Sequence, residues 1–259
     1  MDRSSQAKEP ASPDKPSLKL SVASYNIHHC RGLDGRYRPE RTAEVLSEID
    51  ADIIGLQEVN TRFDGQPGLN QLEYLAYATG LNIVDGPTMV RGKGYYGNAI
   101  LTKYPPASTR RVDLSLPGCE PRGMVDIVVN LGGASVSVIT THLGLSRSER
   151  CVQIERLLSW INNGNGNGDG RERVVIMGDF NEWWSGSLAV KMLEKQLGKI
   201  ARIRTFPTLL PLFGIDWIHT MPQHALISAQ RHSTPTSRLA SDHLPIKAVI
   251  EWNLNALDY

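Results

Sequence analysis

Several apolar stretches of the sequence stop abruptly at residues that can bind a cation or a phosphate. The stretches are LKLSVASYNI, DIIGLQE, ASVSVITTH, RVVIMGDFN, GIDWI and SDHLPI. The polar residues at or within them are Asn26, Glu58, His142, Asp179, Asn181, Asp216, Asp242 and His243. Because amides, carboxylates and imidazoles are costly to bury without partners, these groups either bond locally or face a site.

These residue types together indicate metal-assisted hydrolysis. Carboxylates and an amide oxygen suit a hard cation such as Mg²⁺, which prefers oxygen ligands and keeps several waters. Imidazoles and acids beside such a cation suit hydrolysis of a phosphate ester, since one side chain can deprotonate or orient the attacking water. Any one of the carboxylates or amides alone would be read as a turn cap. Turn capping does not explain why so many strands end this way.

The intervening segments predict the elements that position these residues. PERTAEVLSEI predicts a helix that begins at Pro39, and NQLEYLAYATG predicts one from Asn70 that stops at Gly80. SRSERCVQIERLLSWI carries a capping box, Ser146 with Glu149, and SLAVKMLEKQLG predicts a further helix. GNAILT, GMVDIVVN, ALISAQ and PIKAVIEW read as strands. This mixture predicts an α/β or α+β fold with helix-covered sheets.

The composition narrows the class of protein. The chain has 259 residues, 41% hydrophobic and 21% charged, without a break that marks a domain boundary, so we expect one domain over 18–259. The formal net charge of +1 gives no broad electrostatic support for nucleic-acid binding. Three cysteines without a CxxC pair argue against a disulfide framework or a structural zinc site.

The first residues and one internal segment have the composition of unstructured chain. Residues 1–17 are rich in Ser, Pro and charge, which predicts a disordered tail. They lack the apolar core of a signal peptide, and no apolar run has the length of a transmembrane segment. We therefore expect a cytoplasmic protein, and we expect a monomer. The segment NNGNGNGDG predicts a flexible loop.

The order of the motifs resembles a known superfamily. SYNIHH, DIIGLQEV, GNAILTKYP, ITTHLG, VIMGDFNEW, GIDWI and SDHLPI follow one another as in the endonuclease/exonuclease/phosphatase superfamily, the DNase I-like group. The match runs from about Leu18 to Trp252. The resemblance implies a four-layer sandwich of two packed mixed β-sheets flanked by helices, with the site at one end.

The same resemblance implies a metal site and the residues that act on water. Glu58 resembles the principal Mg²⁺ ligand, with Asn26 and Asp242 close to the ion or its waters. Mn²⁺ or Ca²⁺ would also suit these oxygen ligands. Asp179 resembles the residue that orients or deprotonates the attacking water, and Asn181 its partner on the scissile phosphate.

Two histidines complete the implied catalytic set. His243 resembles the imidazole that contacts the phosphate, oriented by Asp216. His142 falls where relatives place a second histidine, as a phosphate contact or general acid. The sequence leaves open how Asp179 and His243 divide the proton transfers, because such a site titrates as a coupled unit.

A few residues near these motifs have a looser place in the pattern. His28 stands where part of the superfamily has an acidic or amide residue, so it either binds the phosphate or bonds a backbone carbonyl. Arg122 either binds phosphate oxygens or is a solvated charge at a strand end. His29 is expected to point to the opposite side if the strand continues. Of Trp183 and Trp184, one is expected in the core and the other at the cleft.

The substrate is less constrained than the reaction. THLGLSRSERCVQIERLL and RTFPTLLPLFGIDWI resemble a compact bacterial branch whose members are described only as phosphoesterases, some tied to phospholipid metabolism. We expect a phosphodiesterase for a small molecule or lipid headgroup. The alternatives are a nuclease for DNA or RNA and, from another class, a catalytically silent binding module. A nuclease would use a basic rim, for which the candidates are Arg202, Arg204, Arg231 and Arg238.

Overall fold

The computed structural model describes residues 17–61, 70–92, 94–164 and 171–254. The first strand begins at Ser17, which the sequence assigns to the tail, and the rest of that predicted tail lies outside the described residues. Residues 165–170 of the predicted glycine-rich loop also lie outside them. No helix within the described ranges is long and apolar enough to cross a membrane.

Eleven strands and five α-helices form the described part of the chain. The strands are β1 (Ser17–Asn26), β2 (Ile53–Asn60), β3 (Asn82–Arg91), β4 (Gly94–Thr102), β5 (Ser108–Asp113), β6 (Gly123–Leu131), β7 (Ala134–His142), β8 (Val174–Asp179), β9 (Asp216–Met221), β10 (Leu226–Arg231) and β11 (Ile246–Asn253). The helices are α1 (Pro39–Ile49), α2 (Gln71–Thr79), α3 (Arg147–Asn162), α4 (Leu188–Leu197) and α5 (Ser237–Ala240).

The strands form two mixed sheets that pack face to face. One sheet has the order β10-β11-β1-β2-β4-β3, and the other has the order β5-β6-β7-β8-β9. The β1–β2 and β7–β8 pairs are parallel, while the other pairs are antiparallel. Side chains of both sheets share one buried core, which includes Leu20, Val22, Ile53, Val125, Ile127 and Val175.

Helices cover the outer face of each sheet. Leu46 of α1 and Leu75 of α2 pack in one buried cluster with Leu56 of the first sheet. Leu157 of α3 packs with Ile176 of the second sheet, in a cluster to which α4 also contributes. Burial of apolar surface on both faces of each sheet is the main stabilising term of such a sandwich. The predicted four-layer architecture is confirmed.

Strand direction brings the predicted site residues to one edge. Parallel pairing places Asn26 beside Gln57, so β1 and β2 end together. His142 likewise pairs with Asp179 at the ends of β7 and β8. Asp179 in turn lies opposite Asp216, the first residue of the antiparallel β9. The end of β1 is also where β11 begins, so the loop that precedes β11 lies at the same edge of the sheet.

Candidate active site

Asp179 is the centre of the polar cluster at this edge. Its side chain is almost fully buried, and its Oδ2 accepts a hydrogen bond from Asn26 Nδ2 at 3.1 Å. Its Oδ1 accepts from the backbone N–H of Asn181 at 2.9 Å. The Nε2 atoms of His142 and His243 lie 3.5 and 3.7 Å from Oδ2. Burial raises the pKa of Asp179 to about 7, against the opposing effect of His243, so this carboxyl can exchange a proton near neutral pH.

His243 is held by a second buried carboxylate. Its Nδ1 lies 2.9 Å from Asp216 Oδ2, and the same oxygen accepts a hydrogen bond from the hydroxyl of Thr205. Although burial lowers the pKa of His243, the carboxylates of Asp216 and Asp179 outweigh that effect and raise it to about 10. His243 is therefore an imidazolium at neutral pH, with Nδ1–H directed at Asp216 and Nε2–H on the side of Asp179.

Nδ1 of His142, the ring nitrogen that does not face Asp179, lies beside a cation and not beside a carboxylate. Nη1 of Arg122 lies 3.3 Å from His142 Nδ1 and 3.1 Å from Glu120 Oε1. Burial, followed by the positive charge of Arg122, lowers the pKa of His142 well below its usual value. Nη1 of Arg122 at Nδ1 and Nδ2 of Asn181 at Nε2 are both donors, so the one lone pair of the neutral imidazole can accept from only one of them.

The Nε2 side of His142 faces a second donor. Asn181 Nδ2 lies 3.0 Å from Nε2 and donates to the backbone oxygen of Leu143 at 2.9 Å. The bond to Leu143 fixes which end of the Asn181 amide faces the imidazole. Donors thus flank the His142 ring on both sides at the end of β7.

Glu58 occupies a distorted position at the end of β2. The pairing of β2 with β4 shifts register between Leu56 and Val59, and Glu58 has a φ of 57°, which a non-glycine residue rarely adopts. Its carboxylate accepts from Asn26 Nδ2 at 3.0 Å and faces His29 Nε2 at 3.2 Å. Backbone strain of this kind is common where a side chain must be aimed at a functional site.

Asp242 lies next to the end of β1. Ser241 connects the two elements, because its hydroxyl donates to the backbone oxygen of Asn26 at 2.8 Å. The Asp242 carboxylate lies 3.7 Å from His28 Nδ1, and that nitrogen is also 3.1 Å from the backbone oxygen of Arg31. The Asp242 side chain remains about one-third exposed. Two carboxylates, those of Asp242 and Glu58, are thus presented at the open side of the site.

The charges of the cluster fit a divalent cation. Four carboxylates belong to it: Glu58, Asp179, Asp216 and Asp242. They are opposed by two cationic side chains, Arg122 and His243. An anionic substrate would be repelled by such an acid-rich site unless positive charge were added. Oxygen-rich donor sets of this kind favour Mg²⁺, Mn²⁺ or Ca²⁺.

Two different groups of residues in the cluster offer ligand atoms. Asp179, Asp216 and His243 have ligand atoms within 4.8 Å of one another. Because His243 carries a proton on each nitrogen, it has no lone pair for a cation in that state. The pair Glu58 and Asp242 is less buried and has no such restriction. This second pair is the better fit for the ion.

Comparison with known proteins agrees with this geometry. The model of the Endonuclease/Exonuclease/phosphatase family matches residues 23–243. The chain belongs to this family. An Escherichia coli K12 protein, the uncharacterized protein YbhP, is 29% identical over 92% of this chain and 99% of its own length.

Solved structures of the same family share the fold. A family member from Bacteroides thetaiotaomicron superposes with a TM-score of 0.75 at 18% identity, covering 95% of this chain and 99% of that one. The mannosyl-6-phosphatase Bt3783 of the same species gives a TM-score of 0.69 at 18% identity, with coverage of 89% and 99%.

The structure brings together all ten site residues predicted from the sequence. For three of them, Asn26, His28 and Arg122, the contacts restrict the roles that the sequence left open. Asn26 directs its amide nitrogen at Glu58 and Asp179, while its oxygen accepts from the backbone N–H of His28. Its place as a metal ligand stays a prediction. His28 Nδ1 has the backbone contact that was the alternative to phosphate binding. Arg122 is only 6% exposed, so the solvated-charge alternative is wrong.

Some expectations for neighbouring residues are also wrong. The strand does not continue past Asn26, because residues 28–30 adopt positive φ in a short 3₁₀ turn. His29 is consequently turned back toward Glu58 instead of pointing away. Neither Trp183 nor Trp184 is buried in the core, since both are exposed.

Two arginines fix the loops beside the site and were not assigned such a role from the sequence. Arg150 pairs with the buried Glu182 at 3.1 Å and donates to the backbone oxygen of Leu145 at 2.6 Å. The signal for Arg150 was its Arg-x-x-Gln spacing with Gln153, whose side chain accepts from the N–H of Gly144.

Arg202 has a structural role in place of the expected one. It was a candidate for a basic rim, but its guanidinium lies over the Trp217 ring. It also donates to the backbone oxygens of Glu182 and Gly214. Arg202 therefore fixes the segment before β9 and does not extend into solvent as an arginine of a basic rim would.

Proposed function

We propose that the protein is a divalent-metal-dependent phosphodiesterase that acts on a small or lipid-type phosphodiester. Water would attack phosphorus in line, forming one P–O bond as the ester P–O bond on the opposite side breaks. The observation that carries this proposal is the environment of Asp179, a buried carboxyl between two histidines and two amides. A group with this environment is suited to orient water and accept its proton.

The histidines have separate tasks in this mechanism. His243 carries positive charge next to Asp179, so it would offset charge on the phosphoryl oxygens and can donate a proton to the leaving oxygen. His142 is neutral, and in the tautomer that carries its proton on Nε2 it would bind a phosphate oxygen together with the amide of Asn181. The contact with Arg122 favours His142 as a hydrogen-bond donor over a general acid.

The cation site of the proposed mechanism consists of Glu58 and Asp242, with Asn26 beside them. A bound Mg²⁺, or Mn²⁺ or Ca²⁺, would supply positive charge for the phosphate oxygens. Asn26 orients both Glu58 and Asp179 through its amide nitrogen. Burial lowers the pKa of His29 and favours its neutral form. The neutral imidazole would then donate from Nε2 to the Glu58 carboxylate.

The choice of a diester rests on charge. When a divalent cation is added to the four carboxylates, to Glu120 beside Arg122 and to the two cationic side chains, the site has a net charge of about −1. A diester with one negative charge is then easier to accommodate than a monoester with two. One structural neighbour is named as a mannosyl-6-phosphatase, so monoesters belong among the substrates to be tested.

A substrate panel tests the proposal. The purified chain would be assayed on bis(p-nitrophenyl) phosphate, p-nitrophenyl phosphate, glycerophosphodiesters and plasmid DNA, each with Mg²⁺ and with EDTA. We expect diester hydrolysis that EDTA abolishes and that Asp179→Asn lowers by about 10³-fold or more. Asp50→Asn is the matched control, since the Asp50 side chain is 79% exposed just after α1.

Three results would contradict the proposal. Hydrolysis that survives EDTA would exclude the metal mechanism. Rapid plasmid nicking without turnover of small diesters would favour a nuclease. Activity confined to p-nitrophenyl phosphate would indicate a monoesterase.

A further inference from the structure

The loops beside the candidate site expose a group of large apolar side chains. We name these residues the apolar rim: Trp183, Trp184, Leu209, Leu210, Leu212 and Leu239. Leu209 is 71% exposed, Leu210 is 64% exposed and Trp184 is 62% exposed. Single exposed apolar residues are normal on a protein surface, but a contiguous group beside a site marks an interaction surface.

Direct contacts attach the apolar rim to the catalytic residues. The ring of Trp183 packs edge-on against Phe206 at 5.5 Å, and Phe206 lies 4.7 Å from the imidazole of His243. The backbone N–H of Thr208 donates to the backbone oxygen of Asp242 at 2.8 Å. The exposed leucines therefore lie within a few residues of the groups proposed to bind phosphate and cation.

The leucines are held outward by the backbone of their loop. Phe206 and Phe213 form an isolated antiparallel bridge, so the chain between them is a closed loop. Leu212 N–H donates to the oxygen of Phe206 at 2.9 Å, and Leu210 N–H donates to that of Pro207 at 3.1 Å. These bonds prevent the loop from turning its leucines into the protein core.

The second side of the apolar rim comes from α5, the short helix before β11. Nη2 of Arg238 donates to the backbone oxygen of Leu209 at 3.2 Å, which brings the neighbouring Leu239 to the same surface. The backbone oxygen of Leu239 accepts from the N–H of Leu33, at the loop that follows His28 and His29. Apolar side chains thus border the site on more than one loop.

The two segments that carry the leucines of the apolar rim have only positive charged side chains, and the acidic groups that bond to them are Glu44 and Glu48 of α1, at residues 232–236. Residues 201–215 and 222–241 contain no Asp or Glu. They carry the exposed arginines Arg204, Arg231 and Arg238. Arg231 and Arg238 donate to backbone carbonyl oxygens, which leaves their positive charge uncompensated by those bonds. A surface that combines exposed leucine and tryptophan with arginine is complementary to a bilayer containing anionic lipid.

We propose that the apolar rim docks the protein onto an anionic lipid bilayer, with the candidate site facing the phosphodiester headgroups. The inference rests on the proposed function for the identity of the substrate, while docking itself does not require catalysis. Leucine and tryptophan would enter the headgroup boundary, and the arginines would lie against lipid phosphates. The substrate would then reach the site from the bilayer surface.

Vesicle sedimentation tests docking independently of hydrolysis. The probes are vesicles of phosphatidylcholine alone and of equal parts phosphatidylcholine and phosphatidylglycerol. We expect the unaltered chain and Asp179→Asn to sediment to the same extent with the mixed vesicles. With vesicles of phosphatidylcholine alone, at least tenfold less of each protein should sediment. The double variant Leu209→Ser/Leu210→Ser should lose at least tenfold in affinity, and Arg204→Gln/Arg231→Gln several-fold.

The matched control is Ile227→Ser on β10, because Ile227 is 59% exposed and lies outside the apolar rim. It should sediment like the unaltered chain, and circular dichroism would show that every variant remains folded.

Equal binding by the double leucine variant, or no binding of the unaltered chain to mixed vesicles, would overturn docking. So would a dimer that dissociates in the leucine variant without any vesicle binding, since a second copy would then cover the rim. If Asp179→Asn binds but no form hydrolyses any ester, the proposed function fails and docking stands.

Discussion

Nη1 of Arg122 lies 3.3 Å from Nδ1 of His142, so the second histidine of the site is paired with a cation. A carboxylate in that place would favour the imidazolium form, whereas a guanidinium disfavours it. Burial, followed by the charge of Arg122, lowers the pKa of His142 and keeps the imidazole neutral. The arginine thereby adds to burial in disfavouring a general-acid role for this histidine.

Loss of this contact should impair catalysis without unfolding the chain. A hydrogen bond to a charged group contributes about 1.5–3 kcal/mol. We therefore expect Arg122→Gln to lower kcat/KM on bis(p-nitrophenyl) phosphate by roughly 10- to 150-fold. A nitrogen-15 NMR titration should show a higher pKa for His142 in the variant than in the unaltered chain, because the neighbouring positive charge is gone. Arg173→Gln, which alters a surface pair with Glu172, is the control. An unchanged pKa of His142 in Arg122→Gln would contradict this role of the arginine.

His29 should control how tightly the site binds its cation. Its Nε2 lies 3.2 Å from Glu58 Oε2, so it positions a proposed metal ligand without touching substrate. Groups that orient ligands in this way typically contribute roughly 10- to 100-fold in metal affinity. We expect His29→Ala to shift the Mg²⁺ concentration for half-maximal activity upward by about that factor, with a smaller change of kcat at saturation. The same half-maximal concentration in variant and unaltered chain would exclude this role.

The cation itself should stabilise the folded chain. A ligand that binds only the native state at about 100 times its Kd adds about 2.7 kcal/mol to the free energy of unfolding. We expect saturating Mg²⁺ to raise the Tm of the unaltered chain, and Glu58→Gln and Asp242→Asn to abolish most of that rise. Glu155→Gln, an exposed glutamate of α3, should retain it. An equal Tm shift in all of these proteins would place the cation elsewhere.

Local pattern predicts most of the strands and helices and the strand-end residues of the candidate site, whereas the four-layer arrangement of the sheets was implied by the resemblance to the superfamily. Strand ends such as Asn26 and Asp179 are visible as apolar runs that stop at a polar residue. The two missed strands, β3 and β5, lack such a pattern. β3 contains Gly86 and Pro87, and β5 is a polar edge strand, so the register of each is set by its partner strand.

The missed roles depend on chain reversals and long-range contacts. His29 turns toward Glu58 only because residues 28–30 adopt positive φ, which alternation along a strand cannot indicate. The neutral state of His142 depends on its burial and then on Arg122, 20 residues away along the chain. Pairings of this kind are properties of the packed sheets and not of any single motif.

A histidine remote from the site should make the fold sensitive to acid. His219 is buried in β9, its Nε2–H donates to the backbone oxygen of Leu197, and burial lowers its pKa. Below about pH 6.5 the unfolded chain protonates this residue while the folded chain does not, so the free energy of unfolding falls as pH falls. His219→Gln, which keeps an N–H donor, should reduce that slope by up to about 1.4 kcal/mol per pH unit. Urea unfolding between about pH 7 and 5 measures it, with the exposed His224→Gln as control.

The buried pair of Arg150 and Glu182 should be more important for loop position than for net stability. Both side chains are nearly inaccessible, and they meet at 3.1 Å. Removal of one partner leaves a buried charge, so Arg150→Met should cost about 3–5 kcal/mol in chemical unfolding. The double variant Arg150→Met/Glu182→Leu should recover most of that loss, because neither charge then remains.

Activity should not recover in the same double variant. Arg150 also donates to the backbone oxygens of Gly144 and Leu145, which follow His142. Without those bonds the loop is free to shift the groups proposed to bind the phosphate, and a small displacement there costs rate. We expect kcat/KM on bis(p-nitrophenyl) phosphate to stay at least tenfold low even where stability returns. Joint recovery of stability and activity would show that Arg150 serves the core alone.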